Sequence, residues 1–411
     1  MSDSSPPERP PRDERDRERT RDQVRIIIGA LGEDNVGVAT AEGNDPADFI
    51  YLYRRHDILV RDPDVDRVFA ALGRLGIGAE VSANLVNGLT RLALSGDADV
   101  PGVLDRLDGA VGVGVATPDH VLYVTNRCCP ATEPEEPGTK DPFPAVSRDA
   151  GDGGGVLVSV VDTGWHPPAA TDPVTPWLAG VTGDPESFDP DDIRAYAGHG
   201  TFVAGVVRVA APQAEVRVEG FLPNGGAIFE SDMTVQLCQA LSLGPDIISL
   251  SAGSTSRGNR PILSFEVFWD KFLSHVKGTV LVAAAGNDHT RAPFWPAAFP
   301  WTVSVGAIDA DGRRADFTNF GSWVDVYALG VDLVNAYPHG TFVTKEATTP
   351  AGEVRHFEGL ARWSGTSFST PLVAGLIAAE MSRTGLSARL AADRLLAKAR
   401  EQAVPGVGPW L

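Results

Sequence analysis

Val156-Leu157-Val158-Ser159-Val160-Val161-Asp162-Thr163-Gly164 is the stretch whose pattern decides the fold. Its first six residues are almost continuously apolar and rich in β-branched side chains, with strand length and no helical period. They read as a strand covered on both faces. The run ends in Asp162 and a turn-forming Gly164, which puts a carboxylate where the chain leaves the sheet. Taken alone, an Asp at such a place is most often a turn former.

The same kind of run recurs downstream. Val216 to Phe221, Ile247 to Ser251, Val280 to Ala285 and Val303 to Val305 have strand character, and helical patterns at Thr201 to Val209, Ser231 to Leu243 and Ser264 to Val276 separate them. A final helix is expected from about Ser367 to Met381. This alternation predicts an α/β fold, a mostly parallel sheet with helices on both faces, whose active residues gather beyond the carboxyl ends of the strands.

Chemistry-bearing residues stand at the element boundaries. Gly198-His199-Gly200-Thr201 opens a small-residue apolar segment, so the imidazole sits at a helix entrance. Ser364-Gly365-Thr366-Ser367-Phe368-Ser369-Thr370-Pro371 leads into Leu372 to Ile377, another apolar helix. Pro371 has no N–H to donate, so that helix must begin close to Ser367. The serine then lies at a positive helix end, where a developing oxyanion is favoured. Val280 to Asn287 is an apolar strand ending in an amide side chain.

Asp162-Thr163-Gly164, His199-Gly200-Thr201-x-Val203-Ala204-Gly205 and Gly365-Thr366-Ser367-x-Ser369-x-Pro371-x-Val373-Ala374-Gly375 follow in the order Asp, His, Ser. Together they resemble the signature blocks of the subtilisin-like serine proteases, the subtilase family, from about Val156 to Met381. The resemblance implies a serine endopeptidase in which Asp162 holds the His199 tautomer, His199 deprotonates Ser367, and Ser367 forms an acyl-enzyme. It implies an oxyanion hole made by the Asn287 side chain and the Ser367 backbone. Ile248 to Gly253 resembles the family's substrate-pairing strand, so Ser251, Ala252 and Gly253, with Ala284 and Gly286, are expected to wall the pocket for the residue before the cut. The chain departs from the family at Ala252, where a larger residue is usual, at Phe202 in place of His, and at Ser369 in place of Ala. Thr341-Phe342-Val343-Thr344 and Glu353-Val354-Arg355-His356-Phe357 are expected to form an added hairpin near the site. The segment around Ser367 is not the Gly-x-Ser-x-Gly elbow of lipase-like esterases.

Residues 1–23 mix Arg, Asp, Glu and Pro with almost no apolar side chains and read as a disordered tail. Residues 24–125 read as a small α+β domain: strands at Asp57 to Val60 and Arg91 to Leu94, helices at Asp64 to Leu75 and Val100 to Leu107, and extended pieces at Val111 to Val115 and Val121 to Val124. The implied helix-backed antiparallel sheet resembles the propeptides of related proteases, which makes an intramolecular inhibitor one of its expected roles, beside folding and recognition. Prolines, acids and the glycines of 151–155 give residues 126–155 the composition of a linker, leaving 156–411 as the peptidase domain.

A formal net charge of -19 argues against nucleic acid and anionic membranes as partners, leaving protein or peptide substrates. No run approaches the roughly 20 apolar residues of a membrane span. Cys128, Cys129 and Cys238 are an odd set with a vicinal pair, which suits a reducing compartment. With no apolar signal segment at the start, the expected location is cytoplasmic. Asp62-Pro63-Asp64-Val65-Asp66 mimics a calcium loop, but Arg67 stands where that loop needs Gly and Gly73 where it needs Glu. No cofactor is expected for the chemistry and no metal ligand is assigned. Structural calcium, which many members of the family bind, has no assignable ligands here.

Overall fold

The computed structural model describes residues 14–41, 43, 45–124, 133–345 and 351–411. Its N-terminal unit consists of α1 (Glu14–Leu31), β1 (Val36–Thr40), β2 (Phe49–Arg61), α2 (Val65–Arg74), β3 (Ala79–Val86), β4 (Leu89–Leu94), α3 (Val100–Val111) and β5 (Ala116–Val124). β2 pairs antiparallel with β1, β4 and β5, and β4 with β3. α2 and α3 back this sheet, with Val68, Leu72, Leu104 and Leu107 against Ile58, Val60 and Leu92. The expected α+β architecture is therefore present, with three changes.

Residues 14–23 are not a tail but the first half of α1, whose buried side includes Arg19, Thr20, Gln23, Val24 and Ile27. Their charges have fixed partners: Arg17 binds Asp48 at 2.7 Å and Asp45 at 2.8 Å, and Arg21 binds Asp45 at 2.8 Å. Residues 1–13 lie outside the described residues. Val111 closes α3 instead of starting a strand, and the helix stops at Gly112, whose φ of 99° suits glycine. β3 escapes sequence reading because no residue on it is buried, so it carries no apolar alternation.

The second unit contains β6 (Leu157–Asp162), β7 (Thr182–Gly183), α4 (His199–Ala210), β8 (Glu215–Gly220), α5 (Pro223–Gly226), β9 (Ala227–Phe229), α6 (Glu230–Ser242), β10 (Ile247–Leu250), β11 (Ala252–Gly253), α7 (Leu263–Lys271), β12 (Val280–Ala284), β13 (Thr302–Ile308) and β14 (Val326–Leu329). After these come β15 (Leu333–Ala336), β16 (Gly340–Val343), β17 (Val354–Phe357), β18 (Leu360–Trp363), α8 (Thr366–Thr384) and α9 (Ala388–Glu401). The order β14-β13-β12-β10-β6-β8-β7 forms one sheet, parallel at every pairing.

Alternate residues of its central strands enter different cores, which is why these strands are apolar throughout. Val158, Val160, Ile247 and Val282 pack with Val203 and Val207 of α4 and with Val373 and Ile377 of α8. Val161, Ile248, Leu250 and Leu281 pack with Met233 and Leu237 of α6 and with Phe265 and Phe268 of α7. The helix expected to be last is followed by α9, which lays Ala391, Ala392, Leu396 and Ala399 onto the first of these cores.

The linker reading of 126–155 also changes. Residues 126–132 lie outside the described residues, but Glu133 to Glu135 and Asp152 are docked on the second unit, with a largely exposed stretch between them. Glu135 bridges β18 through Glu135 N–H to Arg362 O at 2.9 Å and the reverse bond at 2.8 Å. Asp152 is buried and bound by Arg383 of α8. Acid content misleads here because Glu133, Glu135 and Asp152 are held by Lys345 N–H, Arg362 and Arg383 of the second unit.

Candidate active site

β6 carries Asp162 out of the sheet at its carboxyl end, and α4 begins at His199. They meet because Gly200 lets the helix press onto the loop after β6. A Cβ there would collide with the Gly164 carbonyl and sit 3.2 Å from the Asp162 side chain. Asp162 Oδ1 lies 2.7 Å from His199 Nδ1 and also accepts the Thr163 N–H at 2.7 Å. Both side chains are fully buried. An imidazole that donates through Nδ1 to a carboxylate has Nε2 as its basic nitrogen. Nε2 is buried and has no hydrogen-bond partner among the described residues, so no bond joins it to the Ser367 hydroxyl.

Ser367 sits in the first turn of α8, with its carbonyl near β11. Pro371 lies four residues on and cannot donate to that carbonyl. Ser251 Oγ does so instead, at 2.8 Å, and thereby ties the Ser367 backbone to the segment between β10 and β11. Asn287 is tied to the same turn: its Oδ1 accepts from Thr366 N–H at 3.0 Å and Thr366 Oγ1 at 2.9 Å, while Thr366 Oγ1 accepts the Gly286 N–H at 3.2 Å. Using Oδ1 for Thr366 turns the Nδ2 donors toward the serine end of the helix, where Nδ2 lies 3.6 Å from a Cβ position on Gly365.

The family departure at Phe202 has a packing reason. Phe202 lies 4.5 Å from Phe368 and 5.9 Å from Trp363 between ring centres, and His199 lies 5.3 Å from each of those two rings. An aromatic wall thus surrounds the imidazole. Trp363 is delivered by β18, and the expected hairpin is present as antiparallel β16 and β17, with Phe342 and Phe357 buried beneath it.

Sequence reading passed over Glu186, which stands in a loop without a motif. Its carboxylate accepts the Gly198 N–H at 2.7 Å and binds Arg194 at 3.1 Å. Burial pushes this carboxyl up to about 7, with nearby Asp162 adding to the rise and Gly198 N–H and Arg194 opposing it. Thr366 was likewise quoted only as part of a motif; its partnership with Asn287 is visible only in three dimensions.

The expected substrate-pairing strand is occupied. The end of β5 lies between two segments of the second unit: Tyr123 and Val124 pair antiparallel with Gly253 and Ala252 of β11, and Val121 to Tyr123 pair with Phe229 to Ala227 of β9. Behind this ladder, buried Asp119 accepts from Ser231 N–H at 3.1 Å, Ser231 Oγ at 2.7 Å and Arg54 Nε at 2.8 Å. His120 Nδ1 lies 2.7 Å from buried Glu230, while its Nε2 accepts the Arg257 N–H at 3.2 Å.

The loop resembling a calcium site is spoken for locally. Asp62 accepts from Gly88 N–H at 2.8 Å and Thr90 Oγ1 at 2.7 Å, and Asp64 binds Arg67 at 2.9 Å. Among the described residues no group of three or more His, Cys, Asp and Glu side chains could hold a metal ion, and no helix is long and apolar enough to cross a membrane. Cys128 and Cys129 lie outside the described residues.

Comparison with known proteins identifies the family and the fold. The model of the "Subtilase family" peptidases matches residues 153–406. A thermophilic serine proteinase of Bacillus sp. (strain AK1) is 31% identical over 219 residues, 50% of this chain and 48% of the relative, so the match spans about half that relative's length. Thermitase of Thermoactinomyces vulgaris is 30% identical over 254 residues, covering 58% of this chain and 79% of thermitase. The crystal structure of fervidolysin from Fervidobacterium pennivorans, a keratinolytic enzyme related to subtilisin, superposes with a TM-score of 0.58 at 17% identity, over 92% of this chain and 62% of fervidolysin. That is a likeness of fold, and its extent takes in the N-terminal unit as well. The chain belongs to the subtilase family of subtilisin-like serine proteases.

Proposed function

We propose that this chain is a serine endopeptidase acting through Asp162, His199 and Ser367, and that its N-terminal unit holds it latent. The observation that carries both parts is the position of β5. An extended segment lies paired on both edges in front of a buried Asp162–His199 couple and a serine at a helix N-terminus.

Substrate would take the place of β5 as an extended strand, its backbone bonding to 252–253 and 227–229. His199 Nε2 takes the Ser367 hydroxyl proton while Oγ bonds to the scissile carbonyl carbon. Asn287 Nδ2 and the backbone N–H at Ser367 stabilise the oxyanion that forms, aided by the dipole of α8. As the C–N bond breaks, His199 returns the proton to the leaving amine. Water then attacks the acyl-enzyme, giving a proton to His199, and as the acyl C–Oγ bond breaks His199 passes that proton to Ser367 Oγ and the acid is released. Asp162 holds the Nδ1–H tautomer throughout and stabilises the imidazolium.

The test compares the parent chain with Ser367→Ala by terminal mass analysis and by labelling with a fluorophosphonate. The parent should be cut between Val124 and Glu133 and carry the label on Ser367, whereas the variant stays whole and unlabelled. A Ser367 that takes no label once the N-terminal unit is displaced counts against peptidase chemistry. An uncut parent that labels at once counts against latency.

A further inference from the structure

The pocket expected for the residue before the cut is already filled by a side chain of the enzyme. We infer that the ring of Phe294 occupies the space between the 251–253 and 284–286 walls and restricts the enzyme to polypeptides with glycine, alanine or serine at that position. This rests on the peptidase reading above and adds the substrate class.

The two glycines of the walls report where the ring lies. A Cβ on Gly253 would collide with Phe294 Cε1 and approach Cδ1 to 2.7 Å. A Cβ on Gly286 would come within 3.1 Å of Phe294 Cγ and 3.2 Å of Cδ1. One edge of one ring therefore touches both walls, and the gap between them is one ring wide. Phe294 is 1% exposed. Its place is set by the backbone: Trp295 N–H donates to Ser254 O at 2.9 Å and Ser254 N–H to Trp295 O at 2.7 Å, which fixes the 294–295 segment to the end of β11 with or without β5. While β5 is docked, Tyr123 also packs its ring edge-on against it, with centres 6.0 Å apart. A substrate side chain entering between the walls meets aromatic carbon where a large residue needs empty space. Close-packed interiors do not make such room without cost. A hydrogen, a methyl or a hydroxymethyl group is what remains compatible.

The full-length chain carrying Asp119→Ala, which loosens β5, is given two peptide sets that differ only at the residue before the cut. One is a cleavable library read by mass. The other consists of product peptides ending in Ala or Phe, whose binding is read by tryptophan fluorescence whether or not any bond is cut. Expected are cleavage after Gly, Ala and Ser at least tenfold over Phe, Leu and Tyr, and at least tenfold tighter binding of the Ala-ending product. Adding Phe294→Gly should reverse the binding order. Equal or stronger binding of the Phe-ending product by the Phe294 protein, or failure of the Ala-ending product to bind, overturns the inference even if Phe294→Gly does not fold. Preferential binding of the Ala-ending product without cleavage of any library member upholds the filled pocket and overturns the peptidase reading, so the two failures are distinct.

Discussion

Replacing Glu186 by Gln should abolish one identifiable component of this protein's pH dependence. Glu186 is buried beside the entrance of α4, and its carboxyl is raised from 4.5 to about 7 chiefly by loss of hydration. In the unfolded chain the same group titrates near its ordinary value. Between those limits the native state binds more protons than the unfolded state, so stability falls as pH rises. The contribution is fully present below about pH 4.5 and is lost once pH passes about 7. A rise of that size corresponds to about 3 kcal/mol. The Gln amide keeps the shape, accepts the Gly198 N–H through its oxygen, and does not ionise. Urea unfolding of Glu186→Gln and its parent, both carrying Ser367→Ala to prevent self-digestion, should show the variant gaining about 3 kcal/mol relative to the parent between pH 4.5 and 8. The absolute offset includes the lost attraction to Arg194, so the change of the difference with pH is the decisive quantity. A difference that stays constant across that range refutes the assignment of the raised carboxyl to Glu186.

Three further outcomes follow from the same contacts. Asp119→Ala removes the carboxylate that reaches from β5 to the Ser231 N–H and Oγ of the second unit, a loss of about 1–3 kcal/mol, while Arg54 keeps Asp232 as a partner. Fluorophosphonate labelling of Ser367 in the full chain should then speed up about tenfold, and equal rates contradict the latch. Ser251→Ala leaves the Ser367 carbonyl buried without its donor. It should cost about 1–3 kcal/mol in urea unfolding, and no measurable loss shows that Ser251 does not replace the N–H absent at Pro371. Asn287→Ala should lower kcat about 10²–10³-fold with KM nearly unchanged, a magnitude borrowed from subtilisin rather than worked from this structure. A loss confined to KM places Asn287 in binding instead.

What was legible in the sequence was whatever burial on both sides of an element writes into composition. β6, β10 and β12 send alternate residues into two cores, so each is apolar at nearly every position and could be read without a partner. Asp162, His199, Ser367 and Asn287 stand at element boundaries marked by Gly, Pro or an apolar run, but taken singly each reads as a turn or cap, and their proposed roles come from the resemblance of the ordered blocks to the subtilisin-like proteases. Elements whose stability comes from specific distant partners were not legible. The charged half of α1 needs Asp45 and Asp48, which a local reading weighs as mere polarity. Glu186 has no motif because its role is a backbone N–H twelve residues away. Phe294 looked like one aromatic among several, since nothing in its own segment shows that Gly253 and Gly286 flank the ring.

The start of α8 is where these threads meet. Ser367 is bound through its carbonyl to Ser251, its neighbour Thr366 is bound to Gly286 and Asn287, and its other neighbour Phe368 packs on the His199 ring. These contacts join the first turn of α8 to the carboxyl ends of β10 and β12 and to α4, so one helical turn fixes the relative positions of the proposed nucleophile, oxyanion donor, substrate strand and base. Catalytic groups tolerate displacements of only about 0.5 Å. The bonds replace the freedom of four separate loops with a single rigid junction. Substitutions at Ser251, Thr366 and Asn287 should therefore fail to add: once one bond is gone the turn shifts, and the next deletion removes a contact that is already strained. A double variant Ser251→Ala, Asn287→Ala whose loss in kcat/KM equals the product of the single losses would mean that the anchors act independently and that the rigidity resides in the sheet beneath them.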